Sequence, residues 1–207
     1  DLSINPLVQV VGAGDAGGRE VSAGALNGAV LQWSMADPSK GGRVEQSMKE
    51  GGDHTYYPGP PQIGAPFVLD EIIVTNPHTK KTETSTVVVL HGQPVMRVII
   101  VPGAGGPANQ VQLEVTTSTG EPVSPILLVA WSMFAGSGRV DAKTGLFTVD
   151  PMGVHKFAVI TVTVSFTDGV VITPLGHGYI LLPIPLYSVP EALKMLDAVE
   201  TAQRTDI

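Results

Sequence analysis

Trp131-Ser132-Met133, Gly138-Arg139-Val140-Asp141 and Thr144-Gly145-Leu146-Phe147-Thr148 form the stretch that decides the fold of this chain. Its first two motifs occur once before, as Trp33-Ser34-Met35 and Gly42-Arg43-Val44, and the two tryptophans are 98 residues apart. This period matches the length of one small β-sandwich domain and exceeds that of solenoid or propeller repeats. The sequence therefore predicts two copies of one domain in tandem.

The composition agrees with a fold of short strands and many turns. The 207 residues include 24 glycines and 17 prolines, and only 15% are charged. Glycine and proline favour turns, and so small a charged fraction is not typical of long surface helices. We expect an all-β chain with one sandwich over residues 1–92, a second over 93–187 and a C-terminal segment over 188–207. The predicted junction is Gly92-Gln93-Pro94.

Apolar runs between turn clusters predict seven strands in each copy. In the first copy they are Leu7–Val11, Glu20–Ala23, Val30–Ser34, Arg43–Gln46, His54–Tyr57, Phe67–Asn76 and Thr82–Leu90. In the second copy they are Met96–Val101, Val111–Thr117, Ile126–Ser132, Gly138–Val140, Leu146–Val149, Phe157–Phe166 and Val170–Leu182. Alternation along such strands points large rings between the sheets. Trp33, Trp131 and Phe147 are therefore the predicted core aromatics.

The motifs of the second copy resemble the signature of bacterial Ig-like domains. The first copy follows the pattern more loosely, through Trp33-Ser34, Gly42-Arg43-Val44 and Thr55-Tyr56-Tyr57, with a longer loop over 46–53 in place of the Thr-Gly turn. Modules of this family occur in tandem in surface adhesins and secreted proteins. The resemblance implies two tandem immunoglobulin-like β-sandwiches with a structural or binding role and without a shared catalytic site.

Charge and cysteine content narrow the function classes. The formal net charge of −7 is spread over both halves, so neither half offers the basic surface that nucleic acid or acidic lipid would need. The chain has no cysteine, which excludes disulfides and thiolate metal sites. It also lacks a run of about eighteen apolar residues and a basic, then apolar N-terminal segment, so neither a membrane helix nor a signal peptide is predicted.

One motif points to a different class of protein. Gly12-Ala13-Gly14-Asp15-Ala16-Gly17 follows an apolar strand and fits G-x-G-x-x-G, and Asp37 lies 20 residues beyond Gly17. These are the elements of a dinucleotide-binding fingerprint. The fingerprint needs a helix after the third glycine, but residues 18–28 contain three more glycines, which disfavour a helix by about 3 kcal/mol. A dinucleotide-binding enzyme is therefore the second alternative.

Other catalytic and metal-binding patterns are weak. The five histidines show no H-x-x-x-H spacing, and no Gly-x-Ser-x-Gly motif is present. Several aspartates lie in predicted turns, where a calcium site is an open alternative, although no D-x-D-x-D-G loop supports it. We expect no catalytic residue, no metal and no cofactor.

Two tyrosines beside a proline run form the candidate contact site of the first copy. Tyr56, Tyr57, Pro58 and Pro60 could present aromatic and rigid surface to a sugar or a protein, because ordering them costs little conformational entropy. The alternative is that Tyr56 is the core counterpart of Phe147 and that only Tyr57 is exposed.

The end of the chain predicts a helix. Ser188-Val189-Pro190-Glu191 reads as a capping box, and Leu193, Leu196 and Val199 follow on one face of a helix that ends near Gln203. A helix this short needs a surface to pack on. That surface is either the second sandwich or the domain junction, or another subunit that docks through these three side chains.

The sequence thus predicts a non-catalytic structural or adhesive module of a bacterial exported or surface protein, which spaces or presents binding loops. Its location would be extracellular, at the cell surface or periplasmic, and its partner a protein or glycan surface. The alternative is a secreted glycan- or host-surface-binding subunit, toxin-like or carbohydrate-binding, that uses the Tyr56–Pro61 loop.

Overall fold

A computed structural model of the chain describes residues 1–47, 53–101 and 109–186, and these residues are nearly all β. The chain divides into two compact units between Gln93 and Pro94, called unit 1 and unit 2. The strands of unit 1 are β1 Leu2–Asn5, β2 Val8–Gly12, β3 Arg19–Ala25, β4 Gln32–Met35, β5 Arg43–Gln46, β6 His54–Tyr57, β7 Phe67–Thr75 and β8 Thr82–Leu90. Those of unit 2 are β9 Met96–Ile100, β10 Gln110–Thr117, β11 Leu128–Gly136, β12 Arg139–Val140, β13 Leu146–Thr148, β14 Phe157–Thr167 and β15 Ile172–Pro183.

Unit 1 consists of two four-stranded sheets with the orders β1-β3-β6-β5 and β2-β8-β7-β4. The pairs are antiparallel except β2 with β8, which run parallel from Val8 opposite Thr86 to Gly12 opposite Leu90. Inward side chains of both sheets share one core, as expected for a sandwich. Its buried members are Ile4, Val11, Val21, Tyr56, Ile72, Val74, Val87 and Val89.

Unit 2 has the same arrangement with one strand fewer among its described residues. Its sheets have the orders β9-β10-β13-β12 and β11-β14-β15. This is the four-plus-three strand order of a constant-type immunoglobulin sandwich. Its core includes Trp131 and Phe147 together with aliphatic residues of β9, β10, β14 and β15. No disulfide lies beside Trp131, so these aliphatic side chains fill the space between the sheets.

The all-β prediction is confirmed for the described residues, with one strand missed. The first strand, β1, was not predicted because it has only four residues and ends before Pro6. The predicted strand Leu7–Val11 corresponds to β2, which belongs to the opposite sheet. The predicted C-terminal helix and its Leu193, Leu196 and Val199 lie outside the described residues.

The last strands of the two units differ in their described neighbours. In unit 1, β8 is covered by β2. In unit 2, β15 is the end of its sheet as far as the described residues show. The Ile184 N–H donates to the Lys156 carbonyl at 2.9 Å, so the preceding position, Pro183, turns its ring nitrogen away from β14. Among the described strands none pairs with β15 on that side, so proline stands where another residue would present an outward N–H.

The described residues contain no helix that could span a membrane.

Candidate functional site

Burial changes which members of the predicted contact site are available. Tyr56 is 0% exposed and Pro58 is buried, whereas Tyr57 is half-buried and Pro60 is exposed. Alternation along β6 turns Tyr56 towards the core and Tyr57 away from it. Of the four candidate contact residues, Tyr57 and Pro60 therefore present surface, whereas Tyr56 and Pro58 do not, and the burial of Tyr56 agrees with its interpretation as the core counterpart of Phe147.

The ring of Tyr57 is itself partly covered by a cation. The guanidinium carbon of Arg43 lies 4.4 Å from the centroid of the Tyr57 ring, a cation–π distance. Arg43 also donates from Nε to Glu45 Oε1 at 2.8 Å. A sugar stacking on this face of Tyr57 would have to displace the arginine.

The glycine-rich segment after β2 is a turn between two strands and not the start of a helix. The Gly14 N–H donates to the Gly59 carbonyl at 2.8 Å, which fastens this turn to the proline-rich loop. Asp15 accepts the Gly17 N–H at 2.8 Å and pairs with Arg19 at 2.8 Å. The dinucleotide-binding alternative is therefore wrong, because β3 follows where a phosphate-binding helix is required.

The core of unit 1 contains a buried polar pair that the sequence analysis did not identify. The Tyr56 hydroxyl donates to Asp70 Oδ2 at 2.6 Å, and Asp70 is 2% exposed. Asp70 Oδ1 accepts the N–H of Glu71 at 3.1 Å. Burial, and then the hydrogen bond to Asp70, raise the pKa of the Tyr56 phenol. Two adjacent acids, Asp70 and Glu71, in the largely apolar strand Phe67–Thr75 were the available signal, but the partner of Asp70 lies on a different strand.

The two tryptophans have different environments although both contact their cores. Trp131 is 5% exposed, and a Cβ on Gly145, which has φ +74°, would collide with its indole. The position of Gly145, two residues before Phe147, is occupied in unit 1 by His54, two residues before Tyr56. The His54 ring stacks on Trp33 with centroids 3.9 Å apart and an interplanar angle of 14°. Trp33 is only half-buried, whereas Trp131 is enclosed.

The turn aspartates use their carboxylates to hold turns. Asp141 Oδ1 accepts the N–H groups of Thr144 at 2.8 Å and Lys143 at 2.9 Å, and these bonds lower the pKa of Asp141. The N–H groups of Val171 and Val170 lower the pKa of Asp168 in the same way. The described part of the chain holds no cluster of three or more His, Cys, Asp or Glu residues that could bind a metal.

One end of unit 2 exposes a group of aliphatic side chains that the sequence analysis assigned to strands. Val170, Val171 and Ile172, at the turn between β14 and β15, are 90%, 59% and 63% exposed, and Ile126 is 75% exposed. Ile126 belongs to the same end because Leu128, two residues later, pairs with Ser165 near the end of β14. We call these four residues the apolar loop end of unit 2. Three consecutive aliphatic residues after Asp168-Gly169 were the signal for it.

Comparison with known proteins gives only distant structural similarity. No family model matches the sequence. No curated protein matches it either. Among solved structures, the D00-D0 domain of intimin is similar at 15% identity and TM-score 0.35, covering 87% of this chain and 98% of its own. Human protocadherin-24 EC1-2 is similar at 11% identity and TM-score 0.32, and the match covers 88% of this chain and 97% of that one.

A third similar structure is BT4661, a SusE-like surface-located polysaccharide-binding protein from Bacteroides thetaiotaomicron. It gives 12% identity and a TM-score of 0.26, with coverage of 86% of this chain and 34% of that one. Because all three TM-scores are below 0.5, the fold assignment depends on the strand order and registers of the chain itself.

Proposed function

We propose that this chain is a non-catalytic structural or adhesive module of a bacterial exported or surface protein, in which rigid sandwiches space and present binding loops. Three observations support the proposal: two sandwiches with largely apolar cores, turn carboxylates that accept backbone hydrogen bonds, and the motif resemblance to bacterial Ig-like domains. A sandwich whose polar side chains serve its own turns is suited to holding loops in place.

The apolar loop end of unit 2 is the observation that carries a binding role. Exposed aliphatic residues are common singly, but a contiguous group is typical of a contact surface. Valine and isoleucine offer apolar contact without the planar ring that sugars stack on, which favours a protein partner. The loop 168–175 contains Asp168 and no lysine or arginine, so attraction to an acidic membrane is not favoured.

Adhesion of the full chain to intact cells tests this proposal. We expect beads coated with the chain to bind target cells, and binding to fall when the cells are treated with protease. The variant Val170→Ser/Val171→Ser should lower binding several-fold. The matched control Leu26→Ser/Val30→Ser alters side chains of unit 1 that are 86% and 87% exposed and should leave binding unchanged. Equal loss in both variants would contradict a role for the apolar loop end.

The glycan alternative predicts a different result in the same assay. Binding that survives protease treatment, appears on a glycan array and disappears in Tyr57→Ala would replace the protein partner with a sugar. Antibody labelling of the source cells tests the location separately. We expect intact cells to be labelled, and labelling only after lysis would contradict a surface module.

A further inference from the structure

The Tyr56–Asp70 pair of unit 1 occupies a site that is apolar in unit 2. The registers establish the first half of this correspondence. Tyr56 lies opposite Val44, and Phe147 lies opposite Val140, where each valine ends a Gly-Arg-Val motif. Both rings are 0% exposed. Tyrosine in one unit therefore replaces phenylalanine at the same place in the other.

The second half of the correspondence concerns the acid. Val74 and Val162 each lie opposite the tryptophan of their unit. Four residues earlier on the same strands are Asp70 and Ala158, which are 2% and 0% exposed. The two sites thus hold Tyr with Asp in unit 1, and Phe with Ala in unit 2. Each combination is internally satisfied, the first by a hydrogen bond and the second by having no polar side-chain atom.

We propose that this exchange is a pairing code that keeps the strands of the two units from packing into each other's cores while the chain folds. Strands of equal order and similar register in tandem units are prone to exchange and misassembly. The code makes both exchanged combinations unfavourable. If β6 packed against β14, the Tyr56 hydroxyl would be buried over Ala158 without an acceptor. If β13 packed against β7, the Asp70 carboxylate would be buried beside Phe147 without a donor.

The pairing code works because losing a buried hydrogen-bond partner costs more free energy than forming the pair gains. A satisfied buried pair adds little net stability, but a buried polar group that loses its partner keeps its full desolvation penalty, and this penalty is larger for a carboxylate. Unit 2 shows that Phe and Ala can fill the site, so unit 1 does not need polar groups there to close its core. Discrimination between wrong and right partners is what the polar pair adds.

Refolding of the full chain tests the code. The variant Tyr56→Phe/Asp70→Ala gives both units the apolar combination. After dilution from denaturant at low protein concentration, we expect the misfolded fraction of this variant, measured as non-native monomer by size exclusion and native gel, to rise several-fold over the original sequence. Core variants with an intact code, Ile72→Val and Val89→Ala, are the controls, and the one whose measured unfolding midpoint of unit 1 matches that of the first variant should refold as the original sequence does.

A variant with the Tyr–Asp pair in unit 2 and the Phe–Ala pair in unit 1 distinguishes the pairing code from a change in the stability of unit 1. Adding Phe147→Tyr/Ala158→Asp to the first variant makes the two units different again, and the misfolded fraction should return towards that of the original sequence. If this four-residue variant does not fold, the proposal is tested by comparing the misfolded fraction of the first variant with that of its stability-matched control. Equal misfolded fractions in those two proteins would overturn the proposal.

Discussion

The glycine of the Gly-Arg-Val motif is explained by the ring that packs against it. A Cβ on Gly42 would collide with the Asp70 carboxylate and crowd the Tyr56 ring, and a Cβ on Gly138 would collide with the Phe147 ring. In both units the aromatic residue of the neighbouring strand thus passes directly under this glycine. The recurrence of the motif therefore reflects a packing requirement of the hairpin, which any side chain would violate.

Replacing this glycine should destabilise unit 1. We expect Gly42→Ala to lower the free energy of unfolding of unit 1 by about 1–3 kcal/mol, because the new methyl group overpacks a closed site. Gly24→Ala is the matched control, since a Cβ there has no atom within 4 Å. The control should change stability by less than about 0.5 kcal/mol in urea unfolding. Equal losses in the two variants would refute the packing explanation.

The turn at Asp141 should make unit 2 sensitive to acid. Its pKa is lowered from 3.8 in the folded chain, so its contribution to stability is present above that value and is lost as the pH falls through the lowered pKa. In Asp141→Asn, the melting temperature of unit 2 should therefore depend less on pH between neutral and acidic solution. Glu114→Gln, at an exposed position of β10, serves as control and should retain the pH dependence of the original sequence.

Single residues could be predicted from the sequence where alternation alone decides their environment. The inward positions of Trp131 and Phe147 follow from strand periodicity. The stacking of His54 on Trp33 could not be predicted, because the two rings come from different strands. The same limit applies to Asp70, since its hydrogen-bond partner is brought to it only by the packing of two sheets.

At the scale of elements, β1 and β2 place the start of the chain in both sheets of unit 1. β1 pairs with β3 and β2 pairs with β8, with Pro6 between them. The sequence predicted a single first strand, since periodicity marks where a strand lies but not which sheet it joins. The glycine pattern after β2 matches a dinucleotide-binding fingerprint for a related reason. The pattern indicates only a sharp turn, and the element that follows the turn shows whether it leads into a phosphate-binding helix or, as here, into a strand.

Pro183 should protect the end of β15, the last strand of its sheet among the described residues, against pairing with other chains. We expect Pro183→Val to restore an outward N–H there and to increase self-association, measured by light scattering over a concentration series. Pro125→Val changes an exposed proline in the connection before β11 and should leave the protein as associated as the original sequence. A Pro183→Val protein with the original scattering profile would show that the proline has no such role.

At the scale of the whole molecule, the sequence repeat predicts two domains, and the structure divides into two compact units. The structural division lies between Gln93 and Pro94, next to the junction predicted from Gly92-Gln93-Pro94. Each core is built within one unit. What the sequence could not supply is the proposed contact surface, because an exposed apolar run such as Val170–Ile172 has the same pattern as a buried strand.

Separate cores predict independent folding. We expect fragments 1–93 and 94–207 each to give a β-type far-UV spectrum and a cooperative thermal transition, since the described members of each core come from a single unit. The transitions of the fragments should also be recognisable in the melting curve of the full chain. Failure of both fragments to fold would contradict two autonomous units.

The parallel pairing of β2 with β8 also has a mechanical consequence for unit 1. These strands lie near the two ends of the unit, so tension applied along the chain pulls them lengthwise past each other. The hydrogen bonds from Val8 to Gly12 are then loaded simultaneously and must rupture together, whereas a hairpin pulled from its open end unzips one bond at a time. We therefore expect unit 1 to unfold at a higher stretching force than a hairpin of equal length that is pulled apart at its open end.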